Sequence, residues 1–413
     1  MKIKKYDEEI KNIISESNFF VEKKIFMPNK VNELYLYRKK SREIYVIQTG
    51  KLYVLGREYG EGTVLIYEYY ERRNFFALKE TVVVSYREYI EDDVLLLGKV
   101  KLDDVIEPYQ HEGKKKKFNN IIYDEITVIV QGPVEEIYTR LVIESIRRFL
   151  PGSKIVLSTW KDANIAELCV DELVINEDPG APEFIKKNGA RHADNRNRLL
   201  VSTKGGLKKV NTKYVLKLRS DCILAGDGIV RNYGRYPLKT DEFSITKKKL
   251  VIGELCNITR LKFKESTINF PFHISDWFFF GLTEDLKSYF EYTDVEPLEQ
   301  MIKWNFKNNM VVSSDDEIGQ NWKRRYNAEQ YFFISALKRK YDIKYWDMSD
   351  FSEKFSEESR IAIINNFEIL NIKDHEIINI KRNNKQPWNL ENDKFADYFT
   401  NKKYEEAYQE IFL

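Results

Sequence analysis

Lys-Tyr-Val-Leu-Lys-Leu-Arg-Ser-Asp-Cys, residues 213–222, is the stretch on which the fold of this chain turns. Tyr214, Val215, Leu216 and Leu218 make an apolar strand that runs into a cation, Arg219, and then an acid, Asp221. Strands of a parallel sheet are buried on both faces and read as near-continuous apolar runs. Lys217 and Arg219 inside such a run are costly unless an anion meets them. In open α/β sheets, ligands bind beyond the carboxyl ends of the strands, where Arg219, Ser220 and Asp221 stand. The pattern suits the diphosphate of a nucleotide, with Asp221 as a ligand for Mg2+ or Mn2+ bridging two phosphates. Only one Asp is present where a paired Asp-x-Asp would hold a metal, and Arg219 takes the first position. A metal-independent site, with Lys217 and Arg219 balancing the leaving group, is the alternative.

Outward from this strand, apolar runs alternate with helical periodicity, which predicts a mostly parallel sheet flanked by helices. Strands are expected at 126–130, 154–159 and 171–175, and further ones at 243–246, 250–259, 277–281 and 367–370. A helix over 135–150 ends at Pro151-Gly152. A second, over 193–210, is expected to be interrupted near Gly205-Gly206, and residues 284–340 read as mainly helical.

The first strand runs into Gln131-Gly132-Pro133, where Gly permits close backbone approach and Pro opens a helix. Such junctions bind anions, although a tight turn without a ligand has the same composition and no GxGxxG or Walker pattern is present. Thr159 and Trp160 end the second strand on the same edge; Trp160 suits stacking on a base or sugar, or simple packing. Asn195, Arg196 and Arg198 open the second helix, and a guanidinium there offers bidentate donors to a diphosphate. One of the two arginines is expected to be an ordinary solvated residue. Asp276 precedes an aromatic strand, and an apolar surround suits a general base. His273 is an alternative base or metal ligand, although four histidines in the whole chain draw no zinc cluster. Glu329 and Gln330 open a later helix and are candidates for binding an acceptor; a Glu in a first turn is also an ordinary dipole partner.

The 67 Lys+Arg against 65 Asp+Glu leave a net charge of +2, which argues against a nucleic-acid-binding field. Three unpaired cysteines suggest a reducing compartment. The N-terminus lacks the apolar core of a signal peptide, and no run approaches the ~20 apolar residues of a membrane span. A cytoplasmic protein is expected. The 26 Tyr and 25 Phe suit sugar surfaces or peripheral contact with the inner face of the membrane. Residues 1–118 read as a small β-rich accessory module, with short Tyr/Val/Ile/Leu runs between Gly or charged turns and a linker at 108–120. Residues 119–375 form the α/β domain, and 376–413 a polar and helical tail. The aromatic β module suits a contact between two copies of the chain.

The ordered blocks at 126–133, 158–160, 195–198, 213–221 and 273–281 resemble the WavE family of lipopolysaccharide-synthesis proteins over about residues 121–375. The resemblance implies a GT-A-like fold, a nucleotide-sugar donor, and a saccharide or lipid-linked saccharide acceptor in bacterial surface polysaccharide, lipopolysaccharide or capsule. It also implies that the Arg219-Ser220-Asp221 triplet matches the metal-holding position and Asp276 the base of inverting members. A glycosyltransferase is therefore expected. A nucleotidyl or sugar-phosphate transferase would use similar cations, and a polysaccharide-binding scaffold would use the aromatic module.

Overall fold

The computed structural model describes residues 2–5, 8, 11, 19–26, 31–34, 43–54, 57–67, 73–77 and 81–88 of a first unit, Met1–Val100. In the second unit, Lys101–Leu413, it describes 102, 106, 117–161, 163, 165, 168–181, 183–185, 191–263, 266–297, 326–346, 352–380, 390, 393 and 396–413. Most of the linker lies outside the described residues.

The first unit is antiparallel β structure throughout its described pairings. Five strands order as Lys2–Lys5, Thr63–Tyr67, Glu43–Thr49, Thr81–Glu88 and Phe19–Phe26. Four more order as Val31–Leu34, Arg73–Ala77, Lys51–Val54 and Arg57–Gly60. Ile44, Tyr45, Ile47, Val64, Leu65 and Val83 are buried, as β-branched and aromatic side chains on a pleated, packed face should be.

The second unit is built on a seven-stranded sheet. Its strands, in chain order, are β1 (Ile126–Gln131), β2 (Lys154–Trp160), β3 (Glu172–Asn176), β4 (Tyr214–Arg219), β5 (Leu250–Gly253), β6 (Phe278–Leu282) and β7 (Phe367–Leu370). They lie side by side as β3-β2-β1-β4-β6-β5-β7. β1 to β4 are mutually parallel, β6 is antiparallel to both β4 and β5, and β7 is parallel to β5. The helices are α1 (Glu136–Phe149), α2 (Arg196–Leu207), α3 (Thr283–Glu291), α4 (Ala328–Lys338), α5 (Glu353–Asn366) and α6 (Asn401–Phe412). Every residue of β1 is buried, as its unbroken apolar run predicts. α1 buries Leu141, Val142, Ile143 and Ile146 and carries Arg147 and Arg148 in its last turn, where cations favour the dipole.

Two expectations change. Gly205 and Gly206 do not interrupt α2. They let it lie on the sheet: a Cβ at Gly205 would overlap Asn176, and one at Gly206 would overlap Ile129. Residues 243–246 form no strand, because Asn366 Oδ1 accepts the amides of Ile245 (2.8 Å) and Thr246 (3.2 Å). Residues 250–259 are likewise not one strand. β5 stops at Gly253, the chain turns through Cys256 at φ 70°, and Ile258–Phe263 joins another sheet.

Residues beyond 376, read from the sequence as a tail, are woven into this unit. Ile377–Asn379 pairs with Cys222–Leu224, and Ala396–Tyr398 pairs with Ile258–Phe263. α6 buries Tyr404, whose hydroxyl donates to the carbonyl of Phe367 at 2.7 Å.

Candidate active site

The chain lays down β1, then steps outward to β2 and β3, and returns to place β4 on the other side of β1. In open α/β sheets the carboxyl ends of the strands flanking such a reversal, here β1 and β4, are where a ligand crevice is expected. Gln131 and Arg219 are register partners there, and Gln131 is also opposite Ser158. Because β6 runs the other way, its beginning, residues 276–278, reaches the same edge; the amide of Arg219 donates to the carbonyl of Trp277 at 3.2 Å.

The turn after β1 is tightly specified. Gly132 has φ +122°, and a Cβ on it would sit 3.0 Å from Ser220 Oγ. Its amide donates to the carbonyl of Ser158 at 3.1 Å. Ser220 donates its amide to Gln131 O at 3.0 Å and its hydroxyl to Pro133 O at 2.7 Å. Gln131 Oε1 accepts from Ser202 Oγ of α2 at 2.7 Å. Ser202 and Ser220 thus support the turn, and neither was singled out from sequence. The signal for Ser220 was its position between Arg219 and Asp221, opposite a glycine.

Arg219 and Asp221 face each other. Nε of Arg219 donates to Oδ1 of Asp221 at 2.9 Å and Nη2 to Oδ2 at 2.7 Å, a bidentate fork. The Arg219 side chain is 28% exposed and that of Asp221 6%. Burial works against the Arg219 cation, but Asp221 outweighs it and holds the group firmly charged. Both carboxylate oxygens of Asp221 are therefore engaged. Among the described residues no group of three or more His, Cys, Asp or Glu side chains converges to hold a metal ion. The donor set does not fit Mg2+ or Mn2+ held by the protein.

Lys217 shares a sheet face with Arg219, two residues on, but is fully buried. Its ammonium donates to the backbone carbonyl of Asp276 and lies 5.5 Å from the centre of the Phe279 ring. Burial lowers its pKa to about 8, with the Asp276 charge resisting. Asp276 is 7% exposed, and no hydrogen bond engages its carboxylate among the described residues. The loop that carries it is pinned from three sides. Ser275 N donates to Asn257 Oδ1 at 2.6 Å, Phe272 N to Ser359 Oγ at 2.7 Å, and Gln330 Nε2 to Pro271 O at 2.8 Å. Phe272 sits at φ 60°, a conformation that costs of order 1 kcal/mol and persists only where its surroundings impose it.

His273 and Glu329 are neighbours. His273 Nδ1 accepts from Ile258 N at 3.3 Å, which leaves Nε2 as the protonated nitrogen of a neutral ring, 3.8 Å from a Glu329 oxygen. Gln330 forms the capping box of α4 with Asn327 and is wholly buried, so it supports the Asp276 loop from below.

The remaining candidates lie apart from the Arg219–Asp221 fork. Arg196 is 1% exposed and bound by Asp194 (2.7 Å), by Glu296 (2.6 Å) and by the carbonyl of Tyr326. Burial opposes its charge, and the two carboxylates more than restore it. It is an internal strut, fully occupied. Arg198 pairs with Asp178 at 2.8 Å on the surface and donates a further bond to Asn195 Oδ1 at 3.1 Å. Thr159 is buried, its hydroxyl unpartnered among the described residues, while Trp160 is half-buried at the crevice end of β2.

A family model described as WavE lipopolysaccharide synthesis matches residues 126–411. No curated protein matches the sequence. Solved structures that resemble parts of the chain include YhhW from Escherichia coli, 8% identical, TM-score 0.17, covering 18% of this chain and 31% of that one. A Clp1p–Pcf11p complex is 12% identical with TM-score 0.16, covering 30% of this chain and 27% of its own. These two likenesses are too slight to bear on fold or chemistry.

Proposed function

We propose, from the premise that this chain belongs to the WavE lipopolysaccharide synthesis family, that it is a nucleotide-sugar-dependent glycosyltransferase with a GT-A-like domain. It would move a sugar onto a growing bacterial surface polysaccharide, lipopolysaccharide or capsule, at the cytoplasmic side. The observation that carries the reading is the convergence at one crevice of an anion-suited turn, a half-satisfied guanidinium and a carboxylate without a hydrogen-bond partner among the described residues.

The donor diphosphate takes the crevice over Gln131, Gly132 and Pro133. Arg219 spends Nε and one Nη2 hydrogen on Asp221, which leaves its Nη1 edge for a phosphate oxygen. As the glycosidic C–O bond to the diphosphate breaks, negative charge grows on the leaving oxygen. A guanidinium already aimed by Asp221 stabilises that charge without reorganising. Asp276, on the loop that leads into the reversed strand β6, takes the proton of the acceptor hydroxyl as the new C–O bond forms. Glu329, beside His273, borders the same loop and suits a contact with the acceptor's hydroxyl groups. Because the donor set does not fit a protein-held metal, the leaving-group charge is assigned to Arg219.

The test is a thermal-shift screen of nucleoside diphosphates followed by product analysis. Free nucleoside diphosphate supports glycosyl transfer, whereas pyrophosphate or a nucleoside monophosphate would indicate nucleotidyl or sugar-phosphate transfer. Stabilisation by no nucleotide would leave a polysaccharide-binding scaffold. Asp276→Asn should lower kcat by about 10²–10⁴, the usual worth of a general base. A folded variant with wild-type turnover removes that role.

A further inference from the structure

Lys217 is the least expected side chain in the sheet. It sits inside β4 between Leu216 and Leu218, is fully buried, and among the described residues has one hydrogen bond, to the carbonyl of Asp276. Dehydrating its ammonium carries a cost that a methionine of similar size would not, while the methionine would leave the nearby Asp276 charge without this cation. That one hydrogen bond is with the residue that carries the carboxylate of the crevice.

We infer that Lys217 is a positioning residue: its ammonium fixes the Asp276 peptide at the crevice edge and does not touch the donor diphosphate. The inference rests on the reading of Asp276 as the base. It also reverses the expectation, drawn from the strand's sequence, that Lys217 meets the leaving group. A side chain with no exposed surface, already donating to that carbonyl, offers the diphosphate no approach. The charged and titratable groups around Lys217 are Arg219, Asp221 and Cys222 from its own strand and turn, and Asp276 from the opposing loop. Tyr289 faces Asp276 from α3. The Cys222 thiol is pushed up by burial and then by Asp221, so it stays neutral. The only proton of this group with a shifted value near neutral pH is that of Lys217, at about 8. Above that pH the amine holds the carbonyl less firmly.

The experiment compares Lys217→Met and Lys217→Gln with the wild type as full-length chains. Lys217→Met is expected to fold, melting below the wild type because the Asp276 charge loses its cation, and to bind a nucleoside diphosphate within about threefold of wild type. Its kcat should fall about 100-fold with donor KM nearly unchanged, the cost of a base displaced by about 1 Å. The wild-type kcat should decline above pH 8, and that limb should be missing from the residual activity of Lys217→Met. Independently of any turnover, the amides of residues 273–277 should exchange about tenfold faster in the variant, because the loop has lost its tether. Should Lys217→Met not fold, Lys217→Gln, which keeps a donor of shorter reach, carries the same measurements. A diphosphate affinity reduced tenfold or more with kcat kept would make Lys217 a ligand and overturn the inference. Unchanged exchange at 273–277 would overturn it as well. A wild type that turns over no nucleotide sugar would sink the proposed reaction and leave the exchange result standing.

Discussion

Replacing Asp221 with Asn separates two roles that the same carboxylate was expected to combine. The side chain keeps its shape, and the amide oxygen still accepts one N–H from Arg219. What disappears is a negative charge beside the proposed diphosphate site. A phosphate oxygen on the free Nη1 edge of Arg219 would sit roughly 6 Å from the Asp221 carboxylate. At an effective dielectric of about 20, that separation means a repulsion of about 2.8 kcal/mol per unit charge. Arg219 is 28% exposed, and screening by solvent about halves the figure. Losing one arm of the fork loosens the guanidinium and returns up to about 0.5 kcal/mol. The balance favours the variant by about 1 kcal/mol, a five- to tenfold lower Kd for a nucleoside diphosphate. Calorimetric titration with chelator present, and again with Mn2+, measures it. Transfer should nevertheless slow, because Arg219 is no longer aimed. A weaker Kd in Asp221→Asn, together with a wild-type affinity that collapses when Mn2+ is chelated, would refute this reasoning and make Asp221 a metal ligand.

Arg196→Met should destabilise the second unit by about 3–5 kcal/mol in urea unfolding, since it removes the buried cation shared by Asp194, 1% exposed, and Glu296, 16% exposed. Donor affinity of the folded fraction should be unchanged, and a selective loss of donor binding would make Arg196 a donor clamp after all. Gly206→Ala should cost about 1–3 kcal/mol, because the new methyl meets Ile129 and α2 must lift from the sheet; the midpoint of denaturation reports it. Glu368 is fully buried, and burial raises its pKa to about 7 despite Lys249 nearby. Its folded value lies above the unfolded one, so its contribution is present below pH 4.5 and is lost as pH rises toward 7, by roughly 3 kcal/mol. Glu368→Gln should flatten the stability–pH curve between pH 4.5 and 7, and an unchanged slope there would refute the assignment. Lys249, lowered from 10.5 to about 7 by burial, acts in the opposite sense between about pH 7 and 10.5, so the window from 4.5 to 7 tests Glu368.

The strands that an unbroken apolar run announces were legible. β1 and β2 extend one residue beyond their expected ends, and β7 matches residue for residue. β4 was legible too, its apolar run 214–218 extending one residue further to Arg219. What was not legible depends on partners far away in the chain. The 243–246 run is held as a loop by Asn366, more than a hundred residues later. The direction of β6 follows from topology, and so does the burial of Lys217, which the antiparallel pairing sets opposite Phe279. Arg196 and Arg198 looked alike as nearby polar positions on a helix. One is an internal strut and the other a surface pair, because only the former meets Glu296 and Tyr326.

The pairing of Ile377–Asn379 with Cys222–Leu224 has a consequence for the order of events during synthesis. The amide of Ile380 donates to the carbonyl of Asp221, and Asn379 reaches the Cys222 thiol from 157 positions downstream. A chain leaving the ribosome amino end first must hold the 220–222 turn open until that late strand emerges. The backbone partners of the turn that carries Asp221 are therefore complete only once residue 380 has been made, and the cation and acid of 219 and 221 wait on a strand 157 positions later for their final setting.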